Sequence, residues 1–495
     1  MNRINGLIYC LLVTTTFFCG CERKPKIVIE GSIAGYINQS ICIYPAQSIY
    51  INKPYGEPLQ CINTDENGDF TFTINAKDDY FYYLFTKDQQ LIIETPILLN
   101  RGDTVGFRTS IYNLSTPEFW GDNADFNQYM LQQSQTLSRI FRYNRVNEWP
   151  IDEFSCFVDS IELEYRNVLD SMVLTKSFEE KGIKMLKADL LLYMACKRFE
   201  YLRHHINETQ GEWRYLIPSK TFYSFKDSLF EITSEFWFLP NFSQAIDAML
   251  EDDFQNVSEV IANPVEMYSK RFKQKLQRII NDYSGIVKEV ALSQLARRFP
   301  EYLSSSDFYK NMEAADSIMK GISREPTLLE YFTKQVEKVS NIKPEAIAPN
   351  LTLPNKSGKM VSLDEFKGKV VLLIFWGTWC PPCLTSIPKY IEIQEKFKDQ
   401  DFAAVFISLE ARLDDVEGWR MFIEGKGNLA ERLLNGKPFP GVHLVALGQF
   451  ANLQVQSYVI TYAPSYVIID QEGRIVSPRV YLDDSLISQV ESLIH

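Results

Sequence analysis

Histidine, basic charge and membrane-length apolar runs are all scarce in this 495-residue chain. Its 51 Lys and Arg are outnumbered by 63 Asp and Glu, giving a formal net charge of −12. A nucleic-acid backbone requires a local excess of cations, so nucleic acid is excluded as an expected partner. The chain has four histidines, and the adjacent His204 and His205 would point about 100° apart on a helix. We therefore predict no metal site, and no cofactor is expected.

The size and composition indicate a folded protein with several domains. A chain of 495 residues is too long for one hydrophobic core, and its length is typical of about three domains. Aromatic residues make up 13% of the chain, which argues against long disordered tracts.

The first 21 residues have the layout of an export signal. Arg3 precedes an uncharged, mostly apolar run over residues 7–18, which is shorter than the roughly 20 residues that span a bilayer. The run ends in Cys19-Gly20-Cys21, which resembles a bacterial lipoprotein signal. That resemblance implies lipidation of Cys21 and a lipid-anchored protein of the cell envelope, most simply facing the periplasm. The alternative is an ordinary cleaved signal without lipid.

Residues 22–120 are predicted to form a β-sandwich. Apolar residues alternate along several short segments, and an Asn67-Gly68 turn precedes Phe70, Phe72 and Ile74 at a spacing of two. An Asn-Gly turn followed by alternating aromatic residues is typical of a hairpin. Further strands are expected at residues 80–86 and 91–99.

Residues 121–340 are predicted to be α-helical. The clearest helix has apolar residues that step by three and four before Pro300, namely Phe272, Leu276, Ile279, Tyr283, Ile286 or Val287, and Val290. Two prolines in residues 341–349 indicate a linker into a last domain at residues 346–495. There the pattern changes to alternating strands and helices, so the predicted fold is multidomain with a C-terminal α/β domain.

Two cysteines at the start of a predicted helix carry the chemistry. An apolar run over residues 370–376 suits a strand buried on both faces, and it leads into Trp379-Cys380-Pro381-Pro382-Cys383. A helix is expected from about residue 383 to 398, kinked by Pro388. A sulfur at a helix N-terminus is favoured as thiolate, so Cys380 is predicted to attack a disulfide and Cys383 to resolve the product. A zinc half-site is disfavoured because no second Cys/His pair follows at suitable spacing. A static disulfide is disfavoured because it would be strained across a two-residue gap just before a helix.

These motifs resemble the TlpA/ResA group of envelope thioredoxin-like thiol–disulfide oxidoreductases. The resemblance covers residues 346–495 and is carried by Phe375-Trp376-Gly377-Thr378-Trp379-Cys380-Pro381-Pro382-Cys383 and by Thr461-Tyr462-Ala463-Pro464-Ser465. It implies a thioredoxin-like fold and a redox-active Cys380–Cys383 disulfide. It also implies a cis-Pro464 that faces the cysteines, an Ala463 backbone that pairs with the substrate chain, and a Trp379 that forms an apolar wall.

Two positions depart from that group. Ile374 stands where thioredoxins often have a buried Asp, and Ser386 where the group often has a Glu. A carboxylate at either position would accept the proton of the resolving thiol. Glu410, after a predicted strand, is a candidate replacement, and a solvated loop charge is the equal alternative.

The resemblance implies an envelope enzyme that exchanges dithiol and disulfide with exported proteins, more simply as a reductant fed by a membrane thiol donor. The alternative is a partner-binding lipoprotein whose thioredoxin-like domain is mainly a docking module. Of the remaining cysteines, Cys42 and Cys61 could pair in an oxidising compartment. Cys156 and Cys196 are expected to be small core residues.

Overall fold

The structure is a computed structural model that describes residues 26–494, except residues 52, 75–80, 87–91, 93–95, 115, 176–177, 209–219, 224, 227–228, 230–233, 256–263 and 306. The predicted signal segment and Cys21 lie outside the described residues. The chain divides into two compact units. The first runs through residue 137 without residues 47–56, and the second comprises residues 47–56 and 138–495.

The N-terminal region consists of short strands. They are β1 (Ile27–Ala34), β2 (Ser40–Pro45), β3 (Ile49–Tyr50), β4 (Lys53–Pro54), β5 (Gln60–Asn63), β6 (Asp69–Ile74), β7 (Phe81–Thr86), β8 (Ile97–Leu98), β9 (Thr104–Ser110) and β10 (Glu118–Gly121). In the first unit, eight of these strands form two four-stranded sheets, of order β10-β9-β1-β6 and β5-β2-β7-β8. β3 and β4 pair with each other and belong to the second unit. Alternate side chains from both sheets are buried in one apolar core, as the period of two predicts.

The turn at residues 65–68 differs from the predicted hairpin. Asp65 accepts hydrogen bonds from the backbone N–H groups of Asn67 and Asp69, and Gly68 takes a left-handed φ of 84°. However, β5 on one side of the turn belongs to one sheet and β6 on the other side to the second sheet. The turn therefore connects the two sheets. Of the strand expected at residues 91–99, the described part is extended only at Ile97–Leu98.

Cys42 and Cys61 lie directly opposite each other on β2 and β5 and form a disulfide. Cys42 is buried, whereas Cys61 is exposed on the edge strand of its sheet. The second pair of cysteines differs from its prediction in part. Cys156 is exposed, because it lies on the solvent side of its helix between the buried Phe154 and Val158, while Cys196 is half-buried.

Helices make up most of the described residues between positions 124 and 340. They are α1 (Ala124–Tyr143), α2 (Ile151–Thr175), α3 (Glu180–Glu208), α4 (Pro240–Gln255), α5 (Pro264–Asp282), α6 (Gly285–Arg297), α7 (Phe308–Ile322) and α8 (Pro326–Ser340). The single helix predicted across residues 272–290 is two helices. The first helix ends at Asp282 and the second begins at Gly285. Gly285 has a left-handed φ of 55°, which glycine adopts readily. Within the described residues, no helix has the length and apolarity to cross a membrane.

The C-terminal region is a mixed sheet flanked by helices. Its strands are β11 (Thr352–Pro354), β12 (Met360–Ser362), β13 (Val370–Trp376), β14 (Phe402–Glu410), β15 (Val442–Leu447), β16 (Ser465–Ile469) and β17 (Ile475–Val480). Its helices are α9 (Pro381–Thr385), α10 (Ile387–Phe397), α11 (Asp415–Ile423), α12 (Asn428–Leu434), α13 (Leu453–Gln456) and α14 (Asp484–Leu493). Five strands form one sheet of order β15-β14-β13-β16-β17. This is the thioredoxin-like domain, and all seven residues of its central strand β13 are buried.

Candidate active site

The central strand β13 delivers the two cysteines to the edge of the sheet. All seven of its residues are buried, and it pairs parallel with β14 and antiparallel with β16. Side chains of a strand point alternately to the two faces of the sheet, and all seven are buried here, which explains the continuous apolar run. Gly377 follows at once, and a Cβ there would lie 2.5 Å from the indole nitrogen of Trp379. Glycine is therefore needed at this position to let the chain turn under the tryptophan.

Cys380 is the N-cap residue of α9, and its sulfur accepts a hydrogen bond from the backbone N–H of Cys383 at 3.3 Å. Cys380 and Cys383 are joined by a disulfide, and both are buried. Prolines at the first two helical positions cost nothing there, because those N–H groups have no partner within the helix. The motif thus places one sulfur at the positive end of the helix and the other one turn further on.

The helix after the motif is broken sooner than predicted. α9 ends at Thr385 and α10 begins at Ile387, with Ser386 serving as the last cap of one and the first cap of the other. The predicted kink at Pro388 is replaced by this break. Pro388 lacks an N–H and disfavours helix continuity before it, so it lies in the first turn of the new helix.

The segment before β16 faces the disulfide. The Ala463–Pro464 peptide bond is cis, and the carbonyl oxygen of Ala463 lies 3.5 Å from the Cys380 sulfur. Both residues are half-buried, and Ser465 donates a hydrogen bond to the carbonyl of Tyr462 at 2.8 Å. The structure therefore brings Ala463 and Pro464 together with Cys380, as the resemblance implies. Their roles toward a substrate remain predictions.

Trp379 lies on the surface beside the motif with 44% of its area exposed. Its indole N–H donates to the carbonyl of Leu409, and its ring meets Phe450 edge-on at 6.1 Å between centroids. Trp376, three residues earlier, is fully buried. The two tryptophans of the motif thus have different environments, and only Trp379 is available to an incoming chain.

Glu410 is buried, with 1% of its surface exposed, so the alternative of a solvated loop charge is wrong. It lies at the end of β14, and its carboxylate accepts a hydrogen bond from the Ser408 hydroxyl at 2.6 Å. It also accepts from the backbone N–H of Thr378 at 3.4 Å and from the Thr378 hydroxyl at 3.3 Å. This carboxylate therefore holds the loop that precedes Cys380.

The sequence did not indicate three buried polar side chains of this domain. Tyr390 and Tyr466 share a hydrogen bond of 2.9 Å in the core, and Arg479 is buried behind the segment that leads to Pro464. Arg479 is the one charged residue of β17, and this is the signal that could have identified it. The tyrosine pair joins residues far apart in sequence, so no local pattern indicates it. Among the described residues, no group of three or more His, Cys, Asp or Glu is placed to hold a metal.

Comparison with known proteins matches the C-terminal domain. Residues 344–477 match the AhpC/TSA family. The thiol-disulfide oxidoreductase ResA of Bacillus thuringiensis is 30% identical over 146 residues, which is 30% of this chain and 72% of that protein. ResA of Bacillus subtilis is 28% identical over 129 residues, covering 26% of this chain and 63% of that protein.

Solved structures give similar matches. The thioredoxin domain of a thiol-disulfide oxidoreductase from Bacteroides vulgatus is 26% identical, with 31% of this chain and 98% of that chain covered at a TM-score of 0.26. A thiol:disulfide interchange protein from a Bacteroides species is 28% identical, with 31% and 91% covered at a TM-score of 0.25.

Proposed function

Because this chain belongs, through its C-terminal domain, to the ResA family of thiol-disulfide oxidoreductases, we propose that Cys380 and Cys383 exchange dithiol and disulfide with exported proteins in the cell envelope. The observation that carries the proposal is the Cys380 sulfur at the N-cap of α9, 3.5 Å from the carbonyl oxygen of Ala463. A substrate chain that pairs with the Ala463 backbone would bring its own sulfur to Cys380.

The exchange proceeds through a mixed disulfide. The Cys380 thiolate attacks one sulfur of the substrate disulfide, and the other substrate sulfur leaves as a thiolate that takes up a proton. Cys383 then loses its proton and attacks the Cys380 sulfur, which releases the second substrate thiolate. Two electrons pass to the substrate, and the Cys380–Cys383 disulfide forms. Trp379 and Ala463 with Pro464 are proposed to bind the substrate on either side of Cys380.

The mixed disulfide is the species to trap. A Cys383→Ser variant lacks the resolving sulfur, so mass spectrometry is expected to detect substrate bound at Cys380. The matched control is Cys383→Ser combined with Cys380→Ala, which is expected to retain no substrate. An absence of adduct in the single variant would overturn the assignment of Cys380 as the attacking residue.

We assign the direction as reduction, with electrons supplied by a membrane thiol donor. Measurement of the reduction potential of the Cys380–Cys383 pair tests this assignment. A value near about −270 mV is expected for a reductant, whereas a value near about −120 mV would identify an oxidant.

The lipid anchor is proposed from the signal-like sequence that ends at Cys21. Labelling with a radioactive fatty acid is expected to mark the full-length protein, and a Cys21→Ala variant is expected to lose the label. A protein that is processed but never labelled would favour the ordinary cleaved signal.

The domain boundaries are likewise proposed: a β-sandwich over residues 22–120, a helical region over 121–340 and the thioredoxin-like domain over 346–495. One core shared by the two N-terminal sheets supports the sandwich. A separate apolar core over residues 370–490 supports an independent C-terminal domain. Limited proteolysis tests the division, because cuts are expected at residues 341–349.

The absence of a carboxylate at Ile374 and Ser386 favours a second candidate, in which the domain mainly docks a partner. Insulin reduction by the intact protein separates the two functions. The enzyme is expected to lose activity in Cys380→Ala and to keep it in Cys156→Ala, a matched change of an exposed cysteine. Equal rates in wild type and Cys380→Ala would favour docking.

A further inference from the structure

The outer face of one N-terminal sheet carries an exposed tryptophan beside a polar groove. Trp120 lies on β10 with 38% of its area exposed, whereas Phe72 and Phe107 of the same sheet are buried in the core. It borders an open groove of about 520 Å³. Volumes of about 300–1,000 Å³ are typical of small-ligand sites. The cysteine site uses none of these residues, so the groove requires a separate explanation.

The register of the sheet places Trp120 in a row of residues that crosses four strands. Trp120 pairs with Gly106 on β9, and Gly106 pairs with Glu30 on β1. Glu30 in turn pairs with Thr71 on β6. Directly paired residues project from the same face of a sheet. The residues of the apolar core alternate with this row along each strand, so the row lies on the outer face.

The indole of Trp120 lies along the sheet instead of standing away from it. A Cβ at Gly106 would lie 2.1 Å from the indole ring, so the ring rests on this glycine. The indole N–H then donates a hydrogen bond of 3.3 Å to the carboxylate of Glu30, which is two strands away from β10. Because neighbouring strands are about 4.8 Å apart, the side chain spans the width of β9. One face of the ring is therefore turned to the sheet and the other to the solvent.

A second row of polar side chains runs beside the indole. Arg108, Ser32 and Asp69 are paired in register on β9, β1 and β6, two residues along from the first row. The guanidinium carbon of Arg108 lies 6.0 Å from the centre of the Trp120 ring. This distance exceeds a contact distance of about 4.5 Å, so the guanidinium flanks the ring and leaves its outer face open. Further polar lining comes from Asn63, Asp65 and Thr71.

A flat apolar ring with polar groups at its side fits an uncharged sugar. A pyranose has an apolar face of C–H bonds and a rim of hydroxyls, so it can stack on an indole while its hydroxyls reach the neighbouring side chains. Each hydroxyl both donates and accepts. It can therefore donate to a carboxylate such as that of Asp69 and accept from the guanidinium of Arg108.

The charges around the groove disfavour an ionic ligand of either sign. The carboxylates of Glu30, Asp65 and Asp69 line the groove and would repel an anion. Arg108, beside the indole, would repel a cation placed on the ring. An uncharged ligand avoids both effects and can still use the charged groups as strong hydrogen-bond partners.

We propose that this groove binds an uncharged hexopyranose oligosaccharide, with one sugar ring stacked on Trp120 and its hydroxyls held by Asp69 and Arg108. The row from Trp120 to Thr71 covers three strand spacings, or about 14 Å. That length exceeds one sugar ring, so the groove suits a chain of sugars. The site lies in the N-terminal unit and adds a binding function that does not depend on thiol exchange.

Calorimetric titration of the full-length protein tests the site. The probes are neutral hexasaccharides, namely maltohexaose, cellohexaose, mannohexaose and N-acetylchitohexaose. We expect at least one to bind, and we expect Trp120→Ala to weaken that binding about tenfold or more, because the stacking surface is lost. Trp120→Tyr keeps a smaller ring and is expected to lose less. Tyr112→Ala removes an exposed ring outside the groove in the same unit and, as the matched control, is expected to bind like wild type.

Arg108→Met is a second variant, and the direction of its effect depends on the ligand. Loss of the guanidinium donors is expected to weaken saccharide binding about threefold or more. A cationic ligand would instead bind more tightly, because a repelling charge is removed. An increase in salt from about 0.05 M to about 0.5 M is expected to leave saccharide binding nearly unchanged, since the ligand carries no charge.

Several results would overturn the proposal. Absence of binding for every neutral hexasaccharide is one, and affinity unchanged in Trp120→Ala is another, because the sugar would then bind elsewhere. Binding of pentalysine alone, strengthened in Arg108→Met and weakened by salt, would assign the groove to a cationic peptide. Binding of an acidic hyaluronan hexasaccharide alone would contradict the argument from charge.

Discussion

Arg479 donates a hydrogen bond of 2.9 Å from its guanidinium to the carbonyl oxygen of Val459. Val459 has a left-handed φ of 54°, which is costly for a β-branched residue, and it lies in the segment that leads to Pro464. Arg479 is buried, and burial lowers its pKa. A buried arginine on β17 thus holds the strained segment that carries Ala463 to the Cys380 sulfur.

Replacement of Arg479 by Met is expected to weaken that segment. The change leaves the Val459 carbonyl without its donor, and an unsatisfied buried group costs about 1–3 kcal/mol. The free energy of unfolding in urea is expected to fall by that amount. Arg432→Met, at an exposed arginine of α12, is the control and is expected to change stability little. Equal effects of the two variants would contradict the role of Arg479.

Loss of the Glu410 carboxylate is expected to loosen the loop before Cys380. Glu410→Ala leaves Ser408 and Thr378 without their acceptor, and we expect about 1–3 kcal/mol of lost stability. Glu410→Gln retains one acceptor oxygen and is expected to lose less. Urea unfolding measures both changes. The loop assignment predicts faster alkylation of reduced Cys380 in the alanine variant, and unchanged alkylation would contradict it.

His443 predicts a pH dependence of stability in the C-terminal domain. Burial, with hydrogen bonds to the carbonyls of Phe439 and Pro440 opposing it, lowers the pKa of His443 to about 4. In the unfolded chain this imidazole binds its proton at about pH 6.5, whereas in the folded protein it does so only at about pH 4. Between these pH values the unfolded state binds more protons, so the free energy of unfolding decreases as the pH falls. The loss is on the order of 3 kcal/mol.

A His443→Gln variant isolates this contribution, because the carboxylates of the protein titrate equally in both proteins. Urea unfolding between pH 7 and pH 4 is expected to show a shallower decline of stability in the variant. Parallel curves for wild type and variant would show that His443 does not titrate over this range.

The Cys42–Cys61 disulfide is expected to stabilise the N-terminal sheets. It joins residues separated by 19 positions, and closure of a loop of that size removes about 3 kcal/mol of unfolded-state entropy. Cys42→Ala with Cys61→Ala is expected to lower the unfolding free energy by that order. The double substitution is preferable to a reductant, which would also open the Cys380–Cys383 disulfide. Cys196→Ala is the control with an unpaired cysteine.

The C-terminal fold could be read from sequence where the pattern is local. The buried strand at residues 370–376 and the cysteine pair that begins the next helix follow from the run of apolar residues and from the two prolines. The break at Ser386 and the break after Asp282 could not be located, because apolar spacing continues across both. A helical period records which side is buried and does not show where the hydrogen-bond ladder is interrupted.

The contacts of the buried polar residues could not be predicted from local sequence patterns. Tyr390 and Tyr466 meet only because β16 pairs with β13, and Glu410 is buried only because the Thr378 loop folds over it. The composition of residues 65–68 predicts a turn, yet the strands on its two sides belong to different sheets. Sequence patterns describe neighbours along the chain, whereas these contacts depend on which strands become neighbours in space.

The order of strands in the C-terminal sheet also dictates when the cysteine site is completed during synthesis. β13 is central, but its antiparallel partner β16 is separated from it by the β14 and β15 segments and begins at Ser465. Pairing at such a distance along the chain is slow, because the intervening segment must be ordered first. Until the last strands emerge, Cys380 has no Ala463 beside it and β13 has one bare edge. The unfinished domain then exposes the Cys380 thiol and an unpaired strand edge, which favours thiol adducts and edge-to-edge association.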